Sequence, residues 1–275
     1  MNIKFKKSPN FGPRRHCQNN LDRQTNLDSH TPSMIVYHAT YMDHCEQALE
    51  RLCDPMTEVS CHYLISKEGC IWQLVDLEKR AWHAGKSCWR EISDVNSASI
   101  GIELDYANPY QQKSNIVKDF ANPQIEGLIE LVDYLCDLFP IKHWGHVTHQ
   151  DIAPERKTDP GPYFPWRKLS DHQFGLMPAD IKPESFSKNK SKTCLNSTNI
   201  KHMKIKMETL LHKIGYDPKA SFDSKFYAFQ CHFFPQNIRQ THDVFDTQAP
   251  HKQTIIRDDD LVRSIEFGEQ LLAKL

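Results

Sequence analysis

The sequence predicts an α/β fold in which a mixed central sheet is flanked by helices and followed by a small helical domain at the C-terminus. Short β-branched strands alternate with amphipathic helices across residues 34–166, the pattern of a sheet covered by helices. Two neighbouring strands are joined by a tight turn, so at least one pairing is antiparallel and the sheet is mixed. Beyond a polar stretch at residues 182–200, the apolar spacing becomes purely helical.

Taken in order, residues 1–30 are polar, with Pro9 and Pro13, and read as a loosely held arm. Met34-Ile35-Val36-Tyr37 is the first strong strand and ends at His38-Ala39-Thr40. A helix is expected near 43–53, where Cys45, Ala48, Leu49 and Leu52 form one apolar stripe. Residues 61–65 and 70–75 flank Ser66-Lys67-Glu68-Gly69 as a hairpin, with glycine supplying the turn. Ser99–Leu104 is a further strand carrying Glu103 near its end.

The spacing of Ile125, Leu128, Ile129, Val132 and Leu135 predicts a helix over 123–139, with Asn122 as N-cap and Pro123 at the first helical position. A short strand precedes His149, and a Pro-rich loop follows from Ile152 to Trp166. The Ser/Lys/Asn-rich segment 182–200 reads as a linker. Three helices then follow: one near 203–214, one with Phe222, Phe226, Phe229 and Phe233 on a stripe, and one with Leu261, Ile265, Leu272 and Leu275. Such a small bundle needs a partner surface, so it is expected to dock on the sheet domain. The expected division is an arm at 1–30, a catalytic domain at 31–181, a linker at 182–200 and a helical domain at 201–275.

Composition excludes several classes of function. The 34 Lys and Arg nearly balance 35 Asp and Glu, so no global field favours nucleic acid or an anionic membrane. No apolar run reaches the length of a membrane span. The nine cysteines are scattered without a CxxC pair, which argues against a disulfide scaffold or a cysteine zinc site. The basic N-terminus is not followed by an apolar segment or a cleavage site of the secretory kind. That absence and the free thiols fit the cytoplasm, whereas an accessory helical domain fits the cell envelope; the compartment stays open between the two.

The chemistry concentrates in His149-Gln150-Asp151-Ile152-Ala153-Pro154-Glu155-Arg156-Lys157-Thr158-Asp159. A histidine and a carboxylate joined by a folded-back loop, with His38 as a third donor, would leave one vertex of a tetrahedral metal open for water. Spacing by itself is a weak guide here, because such a trio can be picked from almost any chain with 15 histidines.

Four stretches in order strengthen it: Ile35–Thr40; His62–Ile65 through Gly69 to Arg80-Ala81-Trp82-His83-Ala84-Gly85; Ser99–Leu104; and His149 through Asp159 to Pro162. In these the chain resembles the type 2 N-acetylmuramoyl-L-alanine amidases, the AmpD-, AmiD- and peptidoglycan recognition protein-like zinc amidases. The helical C-terminal region makes AmiD-like two-domain enzymes the nearest type. The resemblance implies the peptidoglycan recognition protein-like amidase fold, one Zn²⁺ held by His38, His149 and Asp159, and a substrate amide between N-acetylmuramic acid (or its 1,6-anhydro form) and L-alanine. Peptidoglycan or soluble muropeptides are the implied partners. It further implies that Glu103 exchanges protons with water and the leaving nitrogen, and that the Lys157 ammonium shares the charge of the oxyanion.

One departure stands out. The family usually carries Gly-His before its second ligand motif, whereas the string here is Gly145-His146-Val147-Thr148-His149. Only His149 keeps the offset to Asp159, so His146 is read as a non-ligand. His62, Trp82 and His83 are candidates for substrate contact; each histidine is equally readable as a core residue bonded to backbone. Two rival readings are a peptidoglycan-binding module without catalysis and a cysteine hydrolase using a thiol such as Cys61. The filled ligand positions argue against the first, and the lack of a cysteine signature argues against the second.

Overall fold

The computed structural model describes residues 1–15, 31–107, 119–177, 197–239 and 258–275. Among the described residues six strands form the central sheet: β1 (Ile3–Phe5), β3 (Met34–Ala39), β4 (Tyr63–Ile65), β5 (Ile71–Gln73), β7 (Ser99–Leu104) and β8 (His146–Thr148). Their spatial order is β1-β5-β4-β7-β3-β8. The pairs β3/β7, β3/β8, β4/β7 and β1/β5 are parallel and β4/β5 is antiparallel, so the sheet is mixed as expected. The antiparallel pair is the expected hairpin, and Gly69 supplies its turn at φ +81°. A second small sheet pairs β2 (Phe11–Pro13) with β6 (Lys79–Ala81).

Burial explains the composition of the two central strands. Every residue of β3 is buried, and Ile100, Ile102 and Leu104 of β7 are fully enclosed. A parallel strand covered on both faces reads as a continuous apolar run rather than an alternating one. The helices α1 (Cys45–Cys53), α2 (Val95–Ala98) and α3 (Asn122–Leu138) accompany the sheet, and α1 and α3 bury the apolar stripes that their spacing predicts. Helix α3 differs at its start: the N-cap is Ala121 without a side-chain cap, and Asn122 lies inside the helix, where its Oδ1 accepts from Lys168. Short helices α4 (His149–Ile152) and α5 (Trp166–Asp171) complete the region.

The N-terminal residues are not a loose arm in their described part. Strand β1 extends the edge of the sheet and β2 pairs with β6. Arg14 is buried, with Nη1 donating to the carbonyls of Ser97 (2.7 Å) and Ser99 (3.0 Å) and Nε to Leu77 (2.9 Å). Three-residue strands are too short to show a period, which is why the segment reads as irregular. Residues 16–30 of the expected arm and most of the expected linker lie outside the described residues; the last part of that linker, from Ser197, already belongs to a helix.

The C-terminal part holds α6 (Ser197–Ile214), α7 (Phe222–Phe233), α8 (Pro235–Arg239) and α9 (Asp258–Leu272). Phe226, Phe229 and Phe233 are buried, as their stripe predicts, while Leu275 falls past the end of α9 and is exposed. One continuous apolar cluster runs from Ile35 and Val147 through Trp89 and Trp166 to Phe229 and Phe267, so the helices share their core with the sheet region. Among the described residues the cysteines are free thiols, and no helix is long and apolar enough to cross a membrane.

Candidate metal centre and catalytic cleft

The parallel strands bring three candidate side chains to one edge of the sheet. His38 and Glu103 are directly opposed near the carboxyl ends of β3 and β7. Tyr37 is opposed to Thr148 of β8, and His149 follows immediately as the first residue of α4. Carboxyl ends of parallel strands are the usual place for such sites, because the following loops converge there.

Asp159 arrives by a fold-back of the loop after α4. The amide of Gln150 donates to the carbonyl of Asp159 at 3.0 Å, fastening the far end of the loop against its beginning. Arg156 holds the same loop from outside: Nη2 donates to the carbonyls of Ala84 (2.9 Å) and Lys86 (2.6 Å), and Nε to Lys86 (3.0 Å). The motif contains this arginine, but only the fold reveals that it ties the loop to the His83-Ala84-Gly85 turn.

Three donor atoms meet. Nδ1 of His38 lies 2.9 Å from Nδ1 of His149, and Oδ2 of Asp159 lies 3.1 Å from His149 Nδ1 and 3.5 Å from His38 Nδ1. Ligands at about 2.0–2.1 Å from a tetrahedral Zn²⁺ stand about 3.3 Å apart, so the triangle fits that ion. All three residues are buried. Burial, and then the neighbouring His149, lower the His38 pKa to about 4, which keeps its ring neutral and able to coordinate. Burial works against the Asp159 carboxylate, but His149 and His38 outweigh it and hold its pKa well below 3.8. A second layer supports the first: Nε2 of His38 is 3.0 Å from Nδ1 of His83, and Nε2 of His83 is 3.3 Å from Ser99 Oγ, which donates to the Val95 carbonyl. Were His38 to hold a metal through Nδ1, its Nε2–H would donate to His83, and such a partner would orient the ring.

Beside the triad lies a cleft of about 300 Å³, lined among others by Tyr41, Arg51, Trp82, Glu103 and Lys157. Burial raises the Glu103 carboxyl to a pKa of about 8; Asp159 adds to the rise and Lys157 opposes it. Its Oε2 is shielded and has no hydrogen-bond partner among the described residues. Trp82 lines the cleft.

The two further histidines separate. His83 is buried at the back of the cleft with Nδ1 turned to His38. His62 does not reach the cleft, which corrects its assignment as a substrate contact. It is fully buried, its Nδ1 accepts from the Gly101 amide at 2.9 Å, and its Nε2 faces the Lys79 carbonyl (3.1 Å) and the Arg14 guanidinium (3.0 Å). His146 is also a core residue, with Nδ1 2.7 Å from the Tyr37 hydroxyl. Asn96, which sequence reasoning missed, accepts from the amides of His83 (3.0 Å) and Ala84 (2.7 Å) and shapes the turn that presents them. Its role depends on a loop geometry that no local pattern announces.

Comparisons with known proteins agree with this arrangement. Residues 28–162 match the family model for N-acetylmuramoyl-L-alanine amidase. The chain is 36% identical to N-acetylmuramoyl-L-alanine amidase AmiD of Escherichia coli over 232 residues, covering 78% of this chain and 79% of that protein. It is 39% identical to 1,6-anhydro-N-acetylmuramyl-L-alanine amidase AmpD of Escherichia coli over 111 residues, which cover 40% of this chain and 56% of that protein. The structure of Escherichia coli AmiD, bound to the substrate anhydro-N-acetylmuramic acid-L-Ala-D-γ-Glu-L-Lys, superposes with a TM-score of 0.68 at 29% identity and covers 96% of this chain and 98% of that one. With a relative of this similarity over most of its length, the chain belongs to the N-acetylmuramoyl-L-alanine amidase family.

Proposed function

We propose that this protein hydrolyses the amide between N-acetylmuramic acid, or its 1,6-anhydro form, and L-alanine in peptidoglycan or muropeptides, using one Zn²⁺ held by His38, His149 and Asp159. The observation that carries the reading is the meeting of those three donor atoms beside Glu103, in a cleft open to a ligand. A bound zinc supplies an acidified water and a Lewis acid for the scissile carbonyl.

The remaining work falls to side chains. Glu103, at the edge of the cleft beside the triad, is placed to take a proton from water and deliver it to the leaving alanine nitrogen; burial pushes its carboxyl up to about 8, which suits the acid half of that exchange. Lys157, on the loop between His149 and Asp159, contributes an ammonium to offset negative charge growing on the carbonyl oxygen. Trp82 offers an aromatic wall for sugar or peptide. His83 serves the metal rather than the substrate, by fixing the ring of His38. In the domain division that accompanies this reading, strands β1 and β2 join residues 31–181 as the catalytic domain, and a helical, peptidoglycan-binding-like domain runs from Ser197 onward.

The test joins metal analysis of the purified protein to mass spectrometry of products from anhydro-N-acetylmuramic acid-L-Ala-D-γ-Glu-L-Lys. Release of the free tripeptide by zinc-loaded protein, abolished by a chelator and spared by a thiol alkylator, is the expected result. Intact muropeptide with full zinc occupancy would refute catalysis and leave a peptidoglycan-recognition module.

A further inference from the structure

Helix α4, which begins with His149, is a single turn. One turn has too few hydrogen bonds to hold its own direction in water, so its orientation is set by its caps and neighbours. The main restraint is Asp151, which is completely buried. Its Oδ2 accepts from the amide (2.9 Å) and hydroxyl (2.7 Å) of Thr148, closing a capping box around the first residue of the helix. Those two bonds satisfy only part of a buried carboxylate.

The rest of its bonding comes from the C-terminal helical region. Nδ1 of His232, on α7, donates to Oδ2 at 3.1 Å, and the Tyr216 hydroxyl, just after α6, donates to Oδ1 at 2.8 Å. Both donors are themselves fixed. His232 lies flat on Trp166, with ring centroids 3.7 Å apart and planes 7° from parallel. Tyr216 stands edge-on against Trp89, and the amide of Arg90 donates to the carbonyl of Gly215 at 2.8 Å. A third link ends on the same loop, where Glu155 Oε1 accepts from the amide of Ser221.

We propose that the C-terminal helical region clamps the metal-binding loop, with Tyr216 and His232 as positioning residues that act on His149 through Asp151. This role is distinct from wall binding by that region, and it rests on the reading of His149 as a metal ligand. The two donors fill the valences of Asp151 that the loop itself cannot reach, so the direction of α4, and with it the Nδ1 of His149, is decided partly by residues more than 60 positions away. Loss of an outer partner of a metal site lowers metal affinity about 10–100-fold, which sets the scale expected here.

The experiment uses the full chain stripped of metal. Zinc affinity is measured by competition with a chelator, the Co²⁺-loaded protein is recorded in visible absorption, and the metal-free protein is melted. Tyr216→Phe and His232→Leu are expected to weaken zinc binding about 10–100-fold and to alter the cobalt bands. His232→Asn, whose amide nitrogen sits near the place of Nδ1, should restore most of both. Lys225→Met serves as the control, because Lys225 is buried in the helical region beside Glu208 and His212, away from Asp151. It should lower the melting temperature with zinc affinity unchanged. If His232→Leu fails to fold, Tyr216→Phe, which removes a single hydroxyl, carries the test.

Zinc affinities and cobalt spectra equal to wild type in Tyr216→Phe and His232→Leu would overturn the clamp. So would an equal loss of affinity in Lys225→Met, which would reduce the effect to general destabilisation. Failure of the wild-type chain to bind zinc at all would overturn the reading of the metal site, and the clamp with it.

Discussion

Gly101 leaves His83, behind the candidate metal centre, no room to move. A Cβ at this position would stand 2.5 Å from Cγ, 2.6 Å from Cδ2 and 2.8 Å from Nδ1 of His83. Non-bonded carbons settle at about 3.5–4.0 Å, so Gly101→Ala forces the His83 ring to give by about 1 Å. A displacement of that size is incompatible with the 3.0 Å contact between His83 Nδ1 and His38 Nε2, because hydrogen bonds of this kind fail within a few tenths of an ångström of their usual range. The expected outcome is a loss of zinc affinity of about 10–100-fold, or about 1.4–2.7 kcal/mol, together with about 1–3 kcal/mol of overpacking cost in the metal-free protein. Zinc titration against a chelating dye reads the first quantity and urea unfolding reads the second. The double variant sharpens the reasoning: once His83→Ala has emptied the space, the new methyl has room, and Gly101→Ala should add almost nothing. Zinc binding by Gly101→Ala within about twofold of wild type, or a full additive penalty on top of His83→Ala, would refute the argument.

Other side chains yield predictions of the same kind. Glu103→Gln should keep zinc and lose turnover by about 10²–10⁴-fold, read by metal analysis beside product release; retained turnover would remove Glu103 from the proton path. His38→Ala should lose the metal, since two donors remain where three converge, and equilibrium dialysis against zinc measures it. Lys157→Met should lower kcat by about 10²–10³-fold with zinc retained, because only charge on the reacting oxygen is left uncompensated. Burial holds His146 neutral down to a pKa of about 3, against 6.5 for the ordinary side chain. The unfolded chain therefore binds this proton first, and His146 by itself lowers folding stability by about 1.4 kcal/mol per pH unit as pH falls below 6.5, until the folded group titrates. His146→Asn, which can still pair with Tyr37, should reduce the pH slope of stability by about one proton's share between about pH 6 and about pH 5 in urea unfolding, and an unchanged slope would argue against a buried neutral imidazole.

Much of the chain could be read before it was seen folded, because local pattern encodes local structure. The apolar runs of β3 and β7, the stripe of α3 and the Phe stripe of α7 are set by neighbours three or four residues away, or two, and so appear as periods. The convergence of His38, His149 and Asp159 was legible for a different reason: the three sit in motif stretches dense enough to align without knowledge of their distances. The turn at Gly69 was legible because only glycine takes φ +81° cheaply.

What tertiary structure alone decided are the partnerships between segments remote along the chain. His62 and His83 carry the same side chain, yet one is sealed against Gly101 and Arg14 while the other meets Nε2 of His38 at 3.0 Å. Strand β1 finds its pairing only because β5 leaves an edge open, and Arg14 is buried only because the carbonyls of Ser97 and Ser99 wait beneath it. Asp151 reads as part of a loop motif, and nothing nearby in the sequence announces that Tyr216 and His232 complete it. Periodicity records which way a side chain faces; it holds no record of what stands opposite, and the hydrogen bonds of a buried site depend on that second fact.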